Sequence, residues 1–447
     1  MDDLQQKDLR YIWHPCSQMK DYETFLPIVI ERGEGPYLFD VEGKSYLDAV
    51  SSWWVNLFGH SNKRINRALT EQIERLEHVI FANFSHRPAI ELAERIVEIT
   101  PEGLNKVFFG DNGSSAVEIA LKISFQYHQQ MGRERKTRFL AISDAYHGET
   151  LGALSVGDIG LYNEIYKPLL AKTFKVEGPN CYRCKYGETR ETCSTQCFTY
   201  MEKAIQQHHE VLSGIIIEPM IQGAAGMKIY SPVYLQKLRE LCSVYDIHLI
   251  ADEIAVGFGR TGKMFACEHP EISPDIMCLS KGLTAGYMPM ALVLMTDEIY
   301  NGFYDDYTNL RAFMHSHSYT GNPIGCAVAC ESLNIFRDED VLEKNKITSQ
   351  KIKDRVEGLL AHPHVGEFRQ LGMVGALELV KDKKTKEGFA WEKRVGYEIY
   401  QIALKYGVLL RPLGNVIYFM PPYVINDRDI DLMIGTAERA IQEYFGK

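Results

Sequence analysis

The strongest constraint on the fold is a repeated alternation in the middle of the chain. Short apolar runs stand at 106–109 (KVFF), 139–143 (FLAIS), 214–218 (GIIIE), 248–251 (HLIA) and 275–279 (DIMCL). Stretches of helical periodicity lie between them, including 115–129 and 232–244. Strand-length runs alternating with helices predict an α/β fold: a mostly parallel sheet between helical layers. Such sheets bind ligands beyond the carboxyl ends of their strands. The residues just after each run are therefore the first to inspect.

Three parts are expected. Residues 1–60 read as an N-terminal segment with strand-like runs at 27–30 and 37–39. Residues 61–335 form the large domain, and 336–447 a smaller C-terminal α+β domain with strand-like MVGALELV and NVIYFMPP and a final amphipathic helix. The division is placed where a helical run ends in RDED, within 331–340. A formal net charge of −10 argues against nucleic-acid or anionic-membrane partners. The polar start MDDLQQKDLR lacks an apolar leader core, and no run of roughly 18 apolar residues offers a membrane span. Ten cysteines in a chain this long are not a secreted disulfide framework, so the expected compartment is the cytoplasm.

Three strand ends carry related chemistry. After KVFF comes Gly110-Asp111-Asn112-Gly113-Ser114-Ser115 and then a helix. Small residues at a strand-to-helix turn let backbone N–H groups approach an anion, which the helix N-terminus also favours. An ordinary serine-capped turn is the alternative. After HLIA comes Asp252, a carboxylate placed to hold a protonated pyridine nitrogen, or else a capping or ion-paired aspartate. After DIMCL comes Ser280-Lys281-Gly282. Lysine is rarely buried; desolvated there, its amine becomes nucleophilic toward an aldehyde. A surface loop lysine is the alternative, weakened by the small residues GLTAG that follow. In this order, an anion cradle, a pyridinium partner and an amine describe a pyridoxal 5'-phosphate site.

Over nearly its whole length, from WHP at Trp13 to MPPY at Tyr423, the chain resembles the class-III aminotransferases, pyridoxal-phosphate enzymes of fold type I. The long block LIADEIAVGFGRTGKMFACEH (249–269) carries most of the likeness. IWHP (12–15), SSWW (51–54), YHGET (146–150) and RPLGNVIYFMPPY (411–423) are similar to the biotin-pathway branch, which aminates 8-amino-7-oxononanoate to 7,8-diaminononanoate. The resemblance implies a ping-pong reaction with S-adenosylmethionine as donor; lysine as donor, or a broad-range omega-aminotransferase, is the alternative. It implies Lys281 as the catalytic, covalently binding lysine, Asp252 as pyridinium partner, and Gly113 and Ser114 as phosphate cradle. Tyr146 and Ile254 would lie on the two faces of the cofactor ring. Ser318, where the family usually has threonine, would reach the phosphate of a neighbouring subunit. Cys16, Trp53, Tyr146, Lys281, Ser316 and Arg411 would meet substrate, Arg411 through the keto acid's carboxylate. A homodimer with shared sites is implied.

The chain departs from the family at two substrate-facing positions. Cys16 stands where relatives have an aromatic residue, and Glu149 where the motif commonly has aspartate. A third feature is Cys181-x2-Cys184-x8-Cys193-x3-Cys197. Four thiols could hold zinc, but the spacing is less regular than paired knuckles, and the expectation is a reduced, metal-free loop.

Overall fold

The computed structural model describes residues 3–446. Seven strands form the central sheet: β1 (Leu104–Gly110), β2 (Arg138–Ile142), β3 (Phe174–Val176), β4 (Leu212–Ile217), β5 (His248–Asp252), β6 (Ile276–Leu279) and β7 (Ala291–Thr296). Their spatial order is β1-β7-β6-β5-β4-β2-β3. β3, β2, β4, β5 and β6 pair in parallel, whereas β7 is antiparallel to both β6 and β1. Two reversals leave β1 running in the same direction as β6, so its carboxyl end joins the same edge. The sequence reading missed β7, because ALVLMT follows a loop rather than a helix, and β3, which is only three residues long.

Strands covered on both faces read as continuous apolar runs rather than alternating ones. β4 is buried along its whole length. Ile216 and Ile250 pack on one face with Ala120 and Ile123 of helix α1 (Gly113–Gln130). Ile215, Ile217 and Leu249 pack on the other with Leu235 and Leu238 of the helix Pro232–Val244.

The N-terminal strands differ from expectation. The run at 27–30 is strand only from Ile30, which opens Ile30–Glu34; Pro27 lacks the N–H a ladder needs. Tyr37–Asp40 and Ser45–Asp48 complete an antiparallel meander, and Val408–Leu409 joins it in parallel, Leu409 opposite Asp48. Leu47 and Ala49 share a core with Ile399, Ile402 and Met433. A second antiparallel sheet holds Val365–Leu371, Val374–Leu379, Val416–Phe419 and Pro412–Leu413. The helix Pro323–Asp338 runs through most of the stretch at 331–340, and the chain turns at Asp340, with φ 48°. No helix among the described residues is long and apolar enough to cross a membrane.

Candidate active site

Five strand ends meet at one cavity of about 470 Å³, whose lining includes Gly113, Ser114, Tyr146, Glu218, Asp252, Ile254 and Lys281. The register explains the meeting. Asp252 ends β5 opposite Cys278 of β6, and Lys281 follows β6 by two residues. Gly113 opens the helix after β1; Tyr146 and Glu218 follow β2 and β4.

Lys281 keeps part of its surface open to this cavity but is otherwise enclosed by protein. Desolvation lowers its pKa to about 8, outweighing the opposing pull of Asp252 and Glu218. Its Nζ lies 4.7 Å from the Trp54 ring centre. Its backbone is left-handed, φ 46°, an uncommon state for a residue with a side chain, found where function over-determines the geometry. Asp252 is buried; His147 Nδ1 lies 2.7 Å from its Oδ2, and the Ile254 N–H donates to its Oδ1 at 3.1 Å. His147 Nε2 is buried without a partner. Glu218 accepts the N–H groups of Tyr146 and Gly223, and burial raises its pKa to about 7.

The anion cradle is built by close approach. Asn112 caps α1 by accepting the Ser115 N–H at 3.0 Å. Ser114 Oγ accepts the N–H groups of Glu149 and Thr150. A Cβ on Gly113 would lie 2.9 Å from Ile254 Cγ2; one on Gly148, already at φ +115°, would lie 2.5 Å from Ser114 Oγ. Only glycine fits either place, and the room left is at the N-terminus of an 18-residue helix. A helix end for a phosphate, a buried carboxylate for a ring nitrogen and a desolvated amine for an aldehyde are the donor set pyridoxal phosphate requires. The residues present therefore fit that group.

Three of the residues expected to meet substrate, Cys16, Trp53 and Arg411, lie beside this cavity. Ser51–Trp54 form a left-handed turn, with φ 52°, 45°, 74° and 74° at four consecutive residues. Each such residue costs about 1–2 kcal/mol. The turn follows Asp48, and Arg411 lies two residues past Leu409, which pairs with Asp48. That pairing sets the Arg411 guanidinium 4.4 Å from the Trp53 ring centre. Arg411 and Cys16 also line an adjoining cavity of about 380 Å³. Cys16 Sγ points to Glu149 Oε1 at 3.8 Å, and the Tyr146 hydroxyl donates to the same oxygen at 2.9 Å, so lining residues of the two cavities touch. Ser316 and Ser318 are exposed and do not line the Lys281 cavity of their own chain. Sequence reasoning missed His147, Glu218 and Trp54. Glu218 closes GIIIE and obeys the strand-end rule that found Asp252; the other two stood within quoted motifs without a role.

Cys181, Cys184, Cys193 and Cys197 line a void of about 30 Å³, and all four thiols are free. Burial and the neighbouring thiols raise Cys181 to about 12, so it holds its proton. No group of three metal-binding side chains is gathered to hold an ion among the described residues. Metal analysis of protein purified without chelator is expected to find less than one zinc per chain. One tightly held zinc, lost in Cys184→Ser/Cys193→Ser, would reverse that expectation.

The family comparison agrees with this geometry. The model of "Aminotransferase class-III" matches residues 18–441. The adenosylmethionine-8-amino-7-oxononanoate aminotransferase of Geobacter sulfurreducens is 46% identical over 99% of this chain and 98% of its own length. The Helicobacter pylori protein of the same name is 44% identical over 99% and 98%. The crystal structure of the Methanocaldococcus jannaschii protein of that name superposes with a TM-score of 0.94 at 40% identity, covering 98% of each chain. An omega transaminase of Pseudomonas jessenii in complex with PMP gives 0.95 at 32% identity, covering 100% of this chain and 99% of the other. The chain belongs to the class-III aminotransferases.

Proposed function

We propose that this pyridoxal-phosphate enzyme transfers an amino group to 8-amino-7-oxononanoate, giving 7,8-diaminononanoate for biotin synthesis, with S-adenosylmethionine as donor. The observation that carries the reading is the contact between two cavities: Glu149 lines the lysine–aspartate site, Cys16 lines the cavity that holds Arg411, and Cys16 Sγ meets Glu149 Oε1 at 3.8 Å. A keto acid with a distant carboxylate needs both ends. The names of the full-length relatives supply the particular acid and donor.

When bound, the cofactor supplies an aldehyde that captures amines and a protonated ring that takes up electrons from the adjoining carbon. Lys281 Nζ, with a pKa lowered to about 8, can accept and return the proton at that carbon. Asp252, fixed by His147, opposes the ring nitrogen's charge. Tyr146 and Ile254 bound the ring's space, and Trp54 shields the amine from water. Arg411 receives the carboxylate with its planar fork. Arg411→Lys should raise the keto acid's KM about 10- to 100-fold, as expected for losing one charged hydrogen bond, while slowing the donor half-reaction less. Equal losses in both halves would make Arg411 structural or shared.

We further propose a cytoplasmic homodimer. Exposed Tyr304, Tyr307, Leu310, Met314 and Tyr319 flank Ser316 and Ser318, and a partner subunit covering them would bring both serines to its own site.

The donor has a second reading. One face of Trp53 carries Arg411, so that indole is not a free platform for a sulfonium cation. Small Cys16 beside the Glu149 carboxylate suits a slim, cationic donor such as lysine. Mixing the aldehyde form of the holoenzyme with each donor in a single turnover tests both. Rapid conversion of the cofactor to its amine form by S-adenosylmethionine is expected; conversion by lysine alone would replace the donor and leave the aminotransferase standing.

A further inference from the structure

The left-handed Ser51–Trp54 turn presents two rings in two directions. Trp54 lines the Lys281 cavity, with Lys281 Nζ 4.7 Å from its ring centre, while Trp53 lies under Arg411 at 4.4 Å. One strained turn thus spans the distance between the reacting amine and the carboxylate clamp. Something must hold it in that state.

The fastening is visible. Asp48 is fully buried and ends the strand before the turn. Its Oδ1 accepts the Ser52 N–H at 2.8 Å, its Oδ2 accepts the Ser52 hydroxyl at 2.7 Å, and His60 Nε2 lies 3.0 Å from Oδ2. On the carbonyl side, fully buried Arg260 donates to the carbonyls of Trp54, Asn56 and Pro421 at 3.0–3.2 Å. Ser51 Oγ donates to the Met420 carbonyl, and Trp54 Nε1 to the Tyr418 hydroxyl. Of these groups, Asp48 alone grips the middle of the turn and also sits on the strand paired with the one that leads to Arg411.

We infer that Asp48 is a positioning residue that fixes the spacing between Lys281 and Arg411 by locking the Ser51–Trp54 turn, and so sets the enzyme's preference for a keto acid with a carboxylate at that distance. Asp48 touches neither substrate nor cofactor; it acts through Ser52 and Trp53 on Arg411, while Trp54 has separate fastenings in Arg260 and Tyr418. This inference rests on the substrate reading above.

The test compares the keto acid with its methyl ester in cofactor-loaded wild type, Asp48→Asn and Ser52→Ala. Asparagine keeps the size of Asp48 but turns one acceptor toward the Ser52 hydroxyl into a donor. The preference for acid over ester, as a ratio of kcat/KM, should fall about tenfold in Asp48→Asn, comparable to losing one hydrogen bond to a charged group. It should fall less in Ser52→Ala, which loses only the hydroxyl contact. The effect should lie in KM for the acid, with KM for the ester and the donor half-reaction nearly unchanged. A merely structural aspartate would lower both substrates together. If Asp48→Asn does not fold, Ser52→Ala carries the test alone. An unchanged acid-to-ester ratio in folded, loaded variants overturns the inference. Failure of wild type to aminate 8-amino-7-oxononanoate overturns the substrate reading instead.

Discussion

Lys281→Ala is expected to abolish transamination while the protein still folds. A positioned acid–base group is worth about 10²- to 10⁴-fold on its own, and loss of the covalent anchor adds to that. The fold should not suffer. In cofactor-free protein, burial lowers the folded-state pKa of Lys281 to about 8 from an ordinary value of 10.5. Between those values the unfolded chain binds more protons, so stability rises with pH through the window, and below it the buried ammonium opposes folding. The cofactor-free variant should therefore melt no lower than cofactor-free wild type at pH 7. Absorbance typical of a lysine-bound cofactor in well-folded Lys281→Ala would sink the assignment.

Asp252→Asn is expected to retain some cofactor and to lose most of its rate. The variant keeps the shape of the side chain and the Ile254 N–H contact but removes the charge proposed to oppose the ring nitrogen. It also meets His147 with an amide. Breaking one side of a buried charge pair costs about 3–5 kcal/mol, on the order of 10²- to 10⁴-fold in rate. Pre-steady-state measurement should place the loss in proton removal rather than in donor binding. Near-normal turnover in folded, loaded Asp252→Asn would remove Asp252 from the mechanism.

The central sheet was legible because buried parallel strands announce themselves as apolar runs, and the strand-end rule then led to Lys281, Asp252 and Gly113. β7 was harder to see, since an antiparallel strand inserted between β6 and β1 breaks the strand–helix alternation. The substrate side was legible only through likeness to a family. Nothing in SSWW reveals four consecutive left-handed residues, because that conformation is imposed by Asp48, Arg260 and Met420 from outside the turn. Ser316 and Ser318 could not be placed in a site from one chain, because the chain holds them outward.

The pairing of Asp48 with Leu409 also bears on how the protein is made. It closes across 361 positions (409 − 48). β1 to β7 are complete by Thr296, so the lysine–aspartate half has its sheet while the ribosome is still translating. The part that holds Arg411 cannot assemble until residues 408–419 have emerged. Until then residues 30–60 wait with one sheet edge open and Leu47 and Ala49 uncovered, the kind of exposed strand edge that attracts other chains. A ribosome stalled between those points would display a nascent chain that has all seven strands of the central sheet but lacks Val408–Leu409 to close the N-terminal one.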